Sequence, residues 1–276
     1  MRVYIIGASG FLGRHLAQHF GGSEVVQAAP SFSDSSANSD LWQANVLKQM
    51  CEFSPDLVLI PGASQIMSDD SSAIHSLAFS NCILPCLVAH RLLELFPMAK
   101  LVVFGSSWQF SDSDHYRPFN LYAASKQAGR DMLVHYSLRG LKILEIIMFD
   151  TYSEHDSRRK LLTLLKEACM SGEVIGTTPG DQEIDLIHIE DVCTGVEHAL
   201  RELEEWDATQ GVLTLGLGSG HPISVKELIL RVENIFGKPL HARIGERPYR
   251  PREVMKVLRS YCRPRGWEIL RREFQK

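Results

Sequence analysis

Short apolar runs alternate with amphipathic stretches through the first half of the chain. The runs span residues 3–6, 23–28, 57–61, 101–104 and 141–147, and helical patterns begin between them near Phe11, Leu41, Ile74 and Leu121. Runs that are apolar throughout suit strands covered on both faces, so the βαβα order predicts an α/β fold. It takes the form of a doubly wound parallel sheet over residues 1–150 with helices on both sides. Such sheets bind ligands beyond the carboxyl ends of their strands, which directs attention to the loops after Ile6, Ala28, Ile60 and Phe104.

After Phe149 the alternation weakens. A loop leads into a helix at 160–171, and DLIHI at 185–189 reads as a strand feeding a helix to about 200, so 183–200 is expected to return to the first domain. From Thr214 onward the sequence predicts a glycine-rich turn, a helix at 224–236 capped by Ser224 with Glu227 three residues on, and an arginine-rich tail. Residues 151–182 and 201–276 together are expected to form a smaller C-terminal α/β region. SFSDSSANSD at 31–40 reads as an exposed loop.

With 276 residues, 45% apolar and 22% charged, the chain can bury a large core. The net charge of −4 implies no nucleic-acid groove. Arginines between 243 and 272 suit capture of a small phosphorylated ligand, because a guanidinium grips phosphate oxygens two at a time. MRVYIIG enters a strand directly, with neither a signal-peptide pattern nor a membrane-spanning run, so a cytoplasmic location and no membrane partner are expected. Six cysteines include no Cys-x-x-Cys pair. Cys82, Cys86 and His90 share one helix face, but the apolar residues between them make this core filling, and no metal site is expected.

Two motifs carry chemistry. Gly7-Ala-Ser-Gly10-Phe-Leu-Gly13 lies between the first strand and the first helix, where glycines permit a tight turn and let backbone N–H groups approach a pyrophosphate at a helix N-terminus. Tyr122-Ala-Ala-Ser-Lys126 sets a phenol and an ammonium on one helix face, and an ammonium lowers the pKa of a neighbouring phenol toward the working range. Ser106 and Ser107 follow the fourth strand and project toward the same crevice.

GASGFLG, FGSSW and YAASK together resemble the extended short-chain dehydrogenase/reductase family, also called the NAD-dependent epimerase/dehydratase family. The likeness spans most of the chain. PDLVLIPGAS is similar to the family's third-strand segment, Asn81 to its helix-four asparagine, IDLIHIEDV to a later strand-to-helix segment, and RPREV at 250–254 to its Arg-Pro-Gly-Asp-Val. The resemblance implies a Rossmann fold whose C-terminal region binds substrate. Ser107, Tyr122, Lys126 and Asn81 would be catalytic, with Tyr122 as proton donor or acceptor and Asn81 supporting a water relay to Lys126. Gly7, Ser9, Gly10, Phe11, Leu12, Gly13, Arg14, Asn45, Gly62 and Ala63, with Tyr122 and Lys126, would hold the cofactor. Ser107, Trp108, Arg159, Arg250 and Glu253 would meet a nucleotide-linked sugar. A homodimer is implied as well.

Family dehydratases carry Asp-Glu after the catalytic hydroxyl residue, whereas Trp108-Gln109 stands here, which argues against elimination. SSWQ, RPFNLYAASKQAG and FDTYSEHDSRRK look most similar to reductases of 4-keto-6-deoxy nucleotide sugars of the kind found in surface polysaccharides. An epimerase using a bound NAD, or a non-catalytic NAD(P) sensor, are the alternatives. Tyr152-Ser153-Glu154 replaces the family's Tyr-Gly-Pro-like turn, and Arg252 stands where the family has glycine. Gln27-Ala-Ala-Pro30-Ser31 offers no acid for a ribose 2′-hydroxyl and Arg14 could meet a 2′-phosphate, so NADP is preferred over NAD.

Overall fold

The computed structural model describes residues 1–21, 25–29, 39–62, 70–154 and 156–271. Its strands are β1 (Arg2–Ile6), β2 (Val25–Ala29), β3 (Leu57–Ile60), β4 (Lys100–Ser106), β5 (Lys142–Met148), β6 (Asp150–Tyr152), β7 (Ile175–Gly176), β8 (Glu183–Ile184), β9 (Leu186–His188), β10 (Leu213–Leu217), β11 (Ile223–Ser224) and β12 (Ala242–Arg243). The helices are α1 (Phe11–Phe20), α2 (Ser39–Phe53), α3 (Ser71–Ala78), α4 (Leu84–Leu95), α5 (Leu121–Ser137), α6 (Leu161–Ser171), α7 (Ile189–Glu205) and α8 (Val225–Phe236); a π turn at Phe79–Ile83 joins α3 to α4.

Six parallel strands make the central sheet in the order β2-β1-β3-β4-β5-β10. The strand order reverses between β1 and β3, and a crevice opens at that switch point. Both faces of the sheet are covered, which explains why the strands are apolar at consecutive positions. Val3, Ile5, Leu57, Leu59, Val102 and Phe104 pack with Leu16 of α1 and Val192 and Val196 of α7, while Tyr4, Ile6, Val58, Ile60, Leu101 and Val103 pack with Met50, Val88, Leu92 and Leu133. Each fully buried aliphatic chain contributes roughly 1.5–3 kcal/mol. Residues Ala73–Leu95 are long and apolar enough to cross a bilayer, but Leu77, Leu84, Val88 and Leu92 are buried, so this stretch forms part of the core.

The remaining elements form a second cluster in which Leu162 and Leu165 of α6 meet Leu228 and Val232 of α8. Ser224 caps α8 as its sequence predicts, its hydroxyl accepting from the Glu227 amide at 3.1 Å. Two readings are corrected here. Leu213–Leu217 is the edge strand β10 of the main sheet rather than a turn, since it pairs in parallel with β5 from Leu213 opposite Leu144 to Leu217 opposite Met148; Gly216 leaves room for the Tyr261 ring, which would lie 2.2 Å from a β-carbon there. Three arginines of the tail bind carboxylates: Arg259 pairs with Glu183, Arg265 with Glu205, and Arg271 with Glu190, while Arg250 lines the crevice described below. Together with the buried Asp191, which accepts from the Leu270 and Arg271 amides at 3.0 Å each, the Arg265 and Arg271 pairs staple the tail to α7, and the Arg259 pair ties it to β8.

Candidate active site

A crevice of about 640 Å³ runs from the glycine turn past the carboxyl ends of β3, β4 and β5 to α6 and Arg250. Gly7 has a φ of +94°, and a β-carbon on it would fall 2.8 Å from the Gly62 Cα; one on Gly13 would fall 2.1 Å from the Gly7 oxygen. Only glycine fits at these two positions. α1 starts at Gly10 without a side-chain cap, so its first amides, with the positive end of the helix dipole, are presented along Gly10, Phe11, Leu12 and Gly13 in the crevice wall. This cradle fits the pyrophosphate of a dinucleotide.

Beyond the turn, β4 ends in Ser106, whose hydroxyl accepts from the Trp108 amide at 3.3 Å and starts a short 3₁₀ turn. Ser107 and Trp108 line the crevice together with Tyr122 and Lys126 of α5. The α5 N-terminus is fixed by the Asn120 side chain, which accepts from the Ala123 amide at 3.0 Å. Behind α5, the π turn buries Asn81, whose amide donates to the Ser125 hydroxyl at 2.8 Å. The Lys126 ammonium lies 5.7 Å from the centre of the Tyr122 ring.

Burial dominates the electrostatics. It holds the Tyr122 phenol up at about 12 and the Lys126 ammonium down at about 8, with Glu145 and then Cys82 pulling Lys126 back upward. This corrects the expectation that Lys126 sets a low phenol pKa: desolvation of the phenol is the dominant influence, and the neighbour's own charge is destabilised by burial. The wall opposite the glycine turn, on the α6 side, carries Arg158, Arg159, Lys160 and Lys166. Its carboxylates are paired: Asp156 with Arg158 at 2.6 Å, Asp150 with Lys160 at 3.7 Å, and Glu154 with the buried His188 at 3.0 Å. Arg158 also lies over the Phe11 ring, 3.3 Å from its centre, and so ties this wall to the glycine turn.

Residues 3–213 match the model of the NAD dependent epimerase/dehydratase family. The chain belongs to that family. It is therefore an NAD(P)-dependent enzyme. A CDP-abequose synthase of Yersinia pseudotuberculosis is 25% identical over 92% of this chain and 91% of its own. The UDP-N-acetylglucosamine 4-epimerase of Methanobrevibacter ruminantium superimposes with a TM-score of 0.78 at 14% identity, covering 94% and 89% of the two chains. The Thermus thermophilus UDP-glucose 4-epimerase in complex with NAD gives 0.73 at 19% identity over 98% and 94%. These structural likenesses show the shared Rossmann-type α/β architecture.

The crevice of this epimerase/dehydratase family member gathers Gly7, Gly10, Phe11, Leu12, Gly13, Gly62, Ser107, Trp108, Tyr122, Lys126, Arg159 and Arg250. Asn81 stands behind it, lining a small cavity shared with Lys126. Ser9 and Arg14 flank the turn at the surface, where the Arg14 guanidinium donates to the Ser9 carbonyl at 3.2 Å. Asn45 is exposed on α2 and is not among the crevice-lining residues. Glu253 folds back on its own turn, accepting from the Arg250 amide at 3.2 Å, and so does not line the crevice either. Ala63 lies outside the described residues. Cys82 donates to the Ser125 carbonyl at 3.1 Å while His90 faces Glu94 at 3.2 Å. Sequence reasoning missed Arg158, whose interest lies in its contact with Phe11, and Glu145, which looks like an ordinary strand residue until β5 and α5 are seen packed together.

Proposed function

We propose that the chain reduces a nucleotide-linked 4-keto-6-deoxy sugar with NADPH, in the cytoplasm, to supply a sugar for a surface polysaccharide. The observation that carries this reading is that Ser107, Tyr122, Lys126 and the glycine cradle line one continuous crevice. When bound there, the nicotinamide supplies hydride to the carbonyl carbon. Tyr122 gives its proton to the carbonyl oxygen; burial keeps the phenol protonated at neutral pH, so the acid is ready before substrate arrives. Lys126 stabilises the phenolate left behind, and the Ser107 hydroxyl donates to the same oxygen. Arg159 and Arg250 at the far end suit the charged nucleotide portion of the substrate, which anchors the sugar at a distance from the reacting bond.

Reduction is favoured over elimination by Gln109. Its side chain is fully buried and turned away from the crevice, where it accepts from the Ser106 amide at 2.8 Å. The carboxylates that line the crevice are each engaged by a cation or by His188, leaving no acid and base pair beside Ser107 among the described residues. The CDP-linked sugar in the name of the Yersinia relative agrees with a nucleotide-sugar substrate. Exposed Ile74, Ile83 and Met132 on and beside α3 and α5 suit a homodimer interface. Incubation with NADPH or NADH and 4-keto-6-deoxy sugars linked to CDP, dTDP or GDP tests the reading through nicotinamide absorbance. Stoichiometric NADPH consumption with one of them is expected. Interconversion of sugar epimers without net consumption overturns reduction in favour of epimerisation, and silence with all of them overturns both.

A further inference from the structure

Glu145 interrupts the apolar run of β5 and is 3% exposed. An isolated carboxyl at such a site is expensive, so its partners are informative. The Thr214 hydroxyl donates to it at 3.1 Å, the Gln109 amide reaches it at 3.5 Å, and the Arg130 guanidinium lies 3.7 Å away. Room for the group comes from Gly105, since a β-carbon there would fall 2.8 Å from Glu145 Oε1 and 2.7 Å from Gln109 Oε1. Gln109 in turn holds the Ser106 amide and donates to Gln127 of α5 at 2.9 Å. Glu145 thus touches the network that sets the Ser107 turn.

The carboxyl also faces Lys126. A cavity of about 20 Å³ between β5, α5 and the π turn is lined by Glu145, Lys126, Arg130 and Asn81. The buried Asn81 Oδ1 has no hydrogen-bond partner among the described residues. This volume suits one water, for which Asn81, Lys126 and Glu145 supply polar neighbours.

We propose that Glu145 is a positioning residue that keeps Lys126 in its charged form and couples it to the turn carrying Ser107. The role rests on the reductase reading, in which Lys126 must be an ammonium to stabilise the Tyr122 phenolate. Burial lowers the Lys126 pKa to about 8, and Glu145 is the largest opposing influence. Burial raises the carboxyl's own pKa, while Arg130, Thr214, Gln109 and Lys126 act to keep it ionised. The charged or titratable groups around the pair are Tyr122 and Arg130 on α5 and Cys82 on the π turn.

The test uses cofactor-free full-length protein with ¹³C-methylated lysines, the Lys126 resonance being assigned with Lys126→Arg and titrated by NMR. In Glu145→Gln the Lys126 midpoint should fall by about one pH unit, a tenfold loss of proton affinity. The alkaline limb of kcat should move with it, and KM should stay within about twofold. Glu145→Asp, which keeps the charge, should restore much of the midpoint. An unchanged midpoint in a folded Glu145→Gln protein overturns the proposal, as does an equal shift in the Asp and Gln variants. If the Gln variant does not fold, the ¹³C carboxyl titration of Glu145 in the native protein decides: a carboxyl still protonated where Lys126 is charged overturns it. Because the titrations need no substrate, failure of the sugar panel and failure of this coupling are separate outcomes.

Discussion

The carbonyl oxygen of Asn81 occupies the space beside Gly129: a β-carbon on Gly129 would lie 1.9 Å from it. α5 therefore presses directly onto the backbone of the π turn, and this contact fixes how deep Tyr122 and Lys126 sit. Gly129→Ala should force the two segments apart, at a cost of about 1–3 kcal/mol, the usual range for overpacking. Thermal unfolding should show a Tm lower by several degrees, and turnover should fall more than stability explains because Tyr122 and Lys126, the proposed acid and its partner, ride on the displaced helix. An alanine variant with native Tm and native kcat would show that this contact does not position the site.

Tyr122→Phe removes one hydroxyl from a buried position and leaves the ring packed against Leu77 and Ala73. Turnover should drop by about 10²–10⁴-fold, the range for loss of a general acid. Binding of NADPH, followed by fluorescence, should change little, since the glycine cradle is untouched. Native turnover in this variant would remove Tyr122 from the chemistry.

The depressed Lys126 pKa has a consequence for stability. The unfolded lysine keeps its proton to about 10.5, whereas the folded one releases it at about 8. Between those values the unfolded state binds more protons, so stability rises with pH. The burden of the buried ammonium is full below about pH 8 and gone above about 10.5, and it is on the order of 3 kcal/mol. Denaturant titrations of native protein and Lys126→Met across this window should show the native protein gaining relative to the variant as pH rises. Parallel curves would mean that Lys126 carries no buried charge.

How much of this was legible in the chain depends on whether a residue's role is local. The glycine turn could be read because strand, turn and helix are contiguous, and Tyr122 with Lys126 because four residues make one helical turn. β10 was hidden because its partner β5 lies far away in sequence and because Gly216 accommodates the distant Tyr261. Glu145, Gln109 and Arg130 are brought together only when β4, β5 and α5 pack, and in a linear reading Glu145 is one polar residue in an apolar strand. The tail illustrates the converse. Of its arginines, Arg259, Arg265 and Arg271 meet carboxylates supplied by residues 183 to 205, a pairing that only the fold reveals, whereas Arg250 lines the crevice.

Arg14 projects from the first turn of α1 beside the third glycine, exposed and bound only weakly through the Ser9 carbonyl at 3.2 Å. If it meets a 2′-phosphate, Arg14→Ala should raise the KM for NADPH by about tenfold, the value of one charge-assisted hydrogen bond, and leave that for NADH unchanged. Equal effects on the two cofactors would remove the basis for an NADP preference.

Arg158 offers the sharpest test of how the crevice is closed. Its guanidinium makes a two-pronged pair with Asp156, at 2.8 Å from Nε to Oδ1 and 2.6 Å from Nη2 to Oδ2, and donates to the Thr151 carbonyl at 2.8 Å. Those bonds hold it over Phe11, the first residue of α1 beside the glycine turn, where the proposed reading places the cofactor. Asp156 is held below the usual carboxylate range, its hydrogen bonds to Arg158 outweighing burial. Arg158→Lys keeps the charge but loses the planar fork and the stacking, so it should behave like Arg158→Ala rather than like the native enzyme. Both should weaken NADPH binding by about 3–30-fold, following a loss of about 0.5–2 kcal/mol for a partly shielded cation–π contact. Cofactor titration by fluorescence quenching separates the cases: a lysine variant with native affinity would show that charge alone matters here and that the stacked geometry over Phe11 does not hold the cradle.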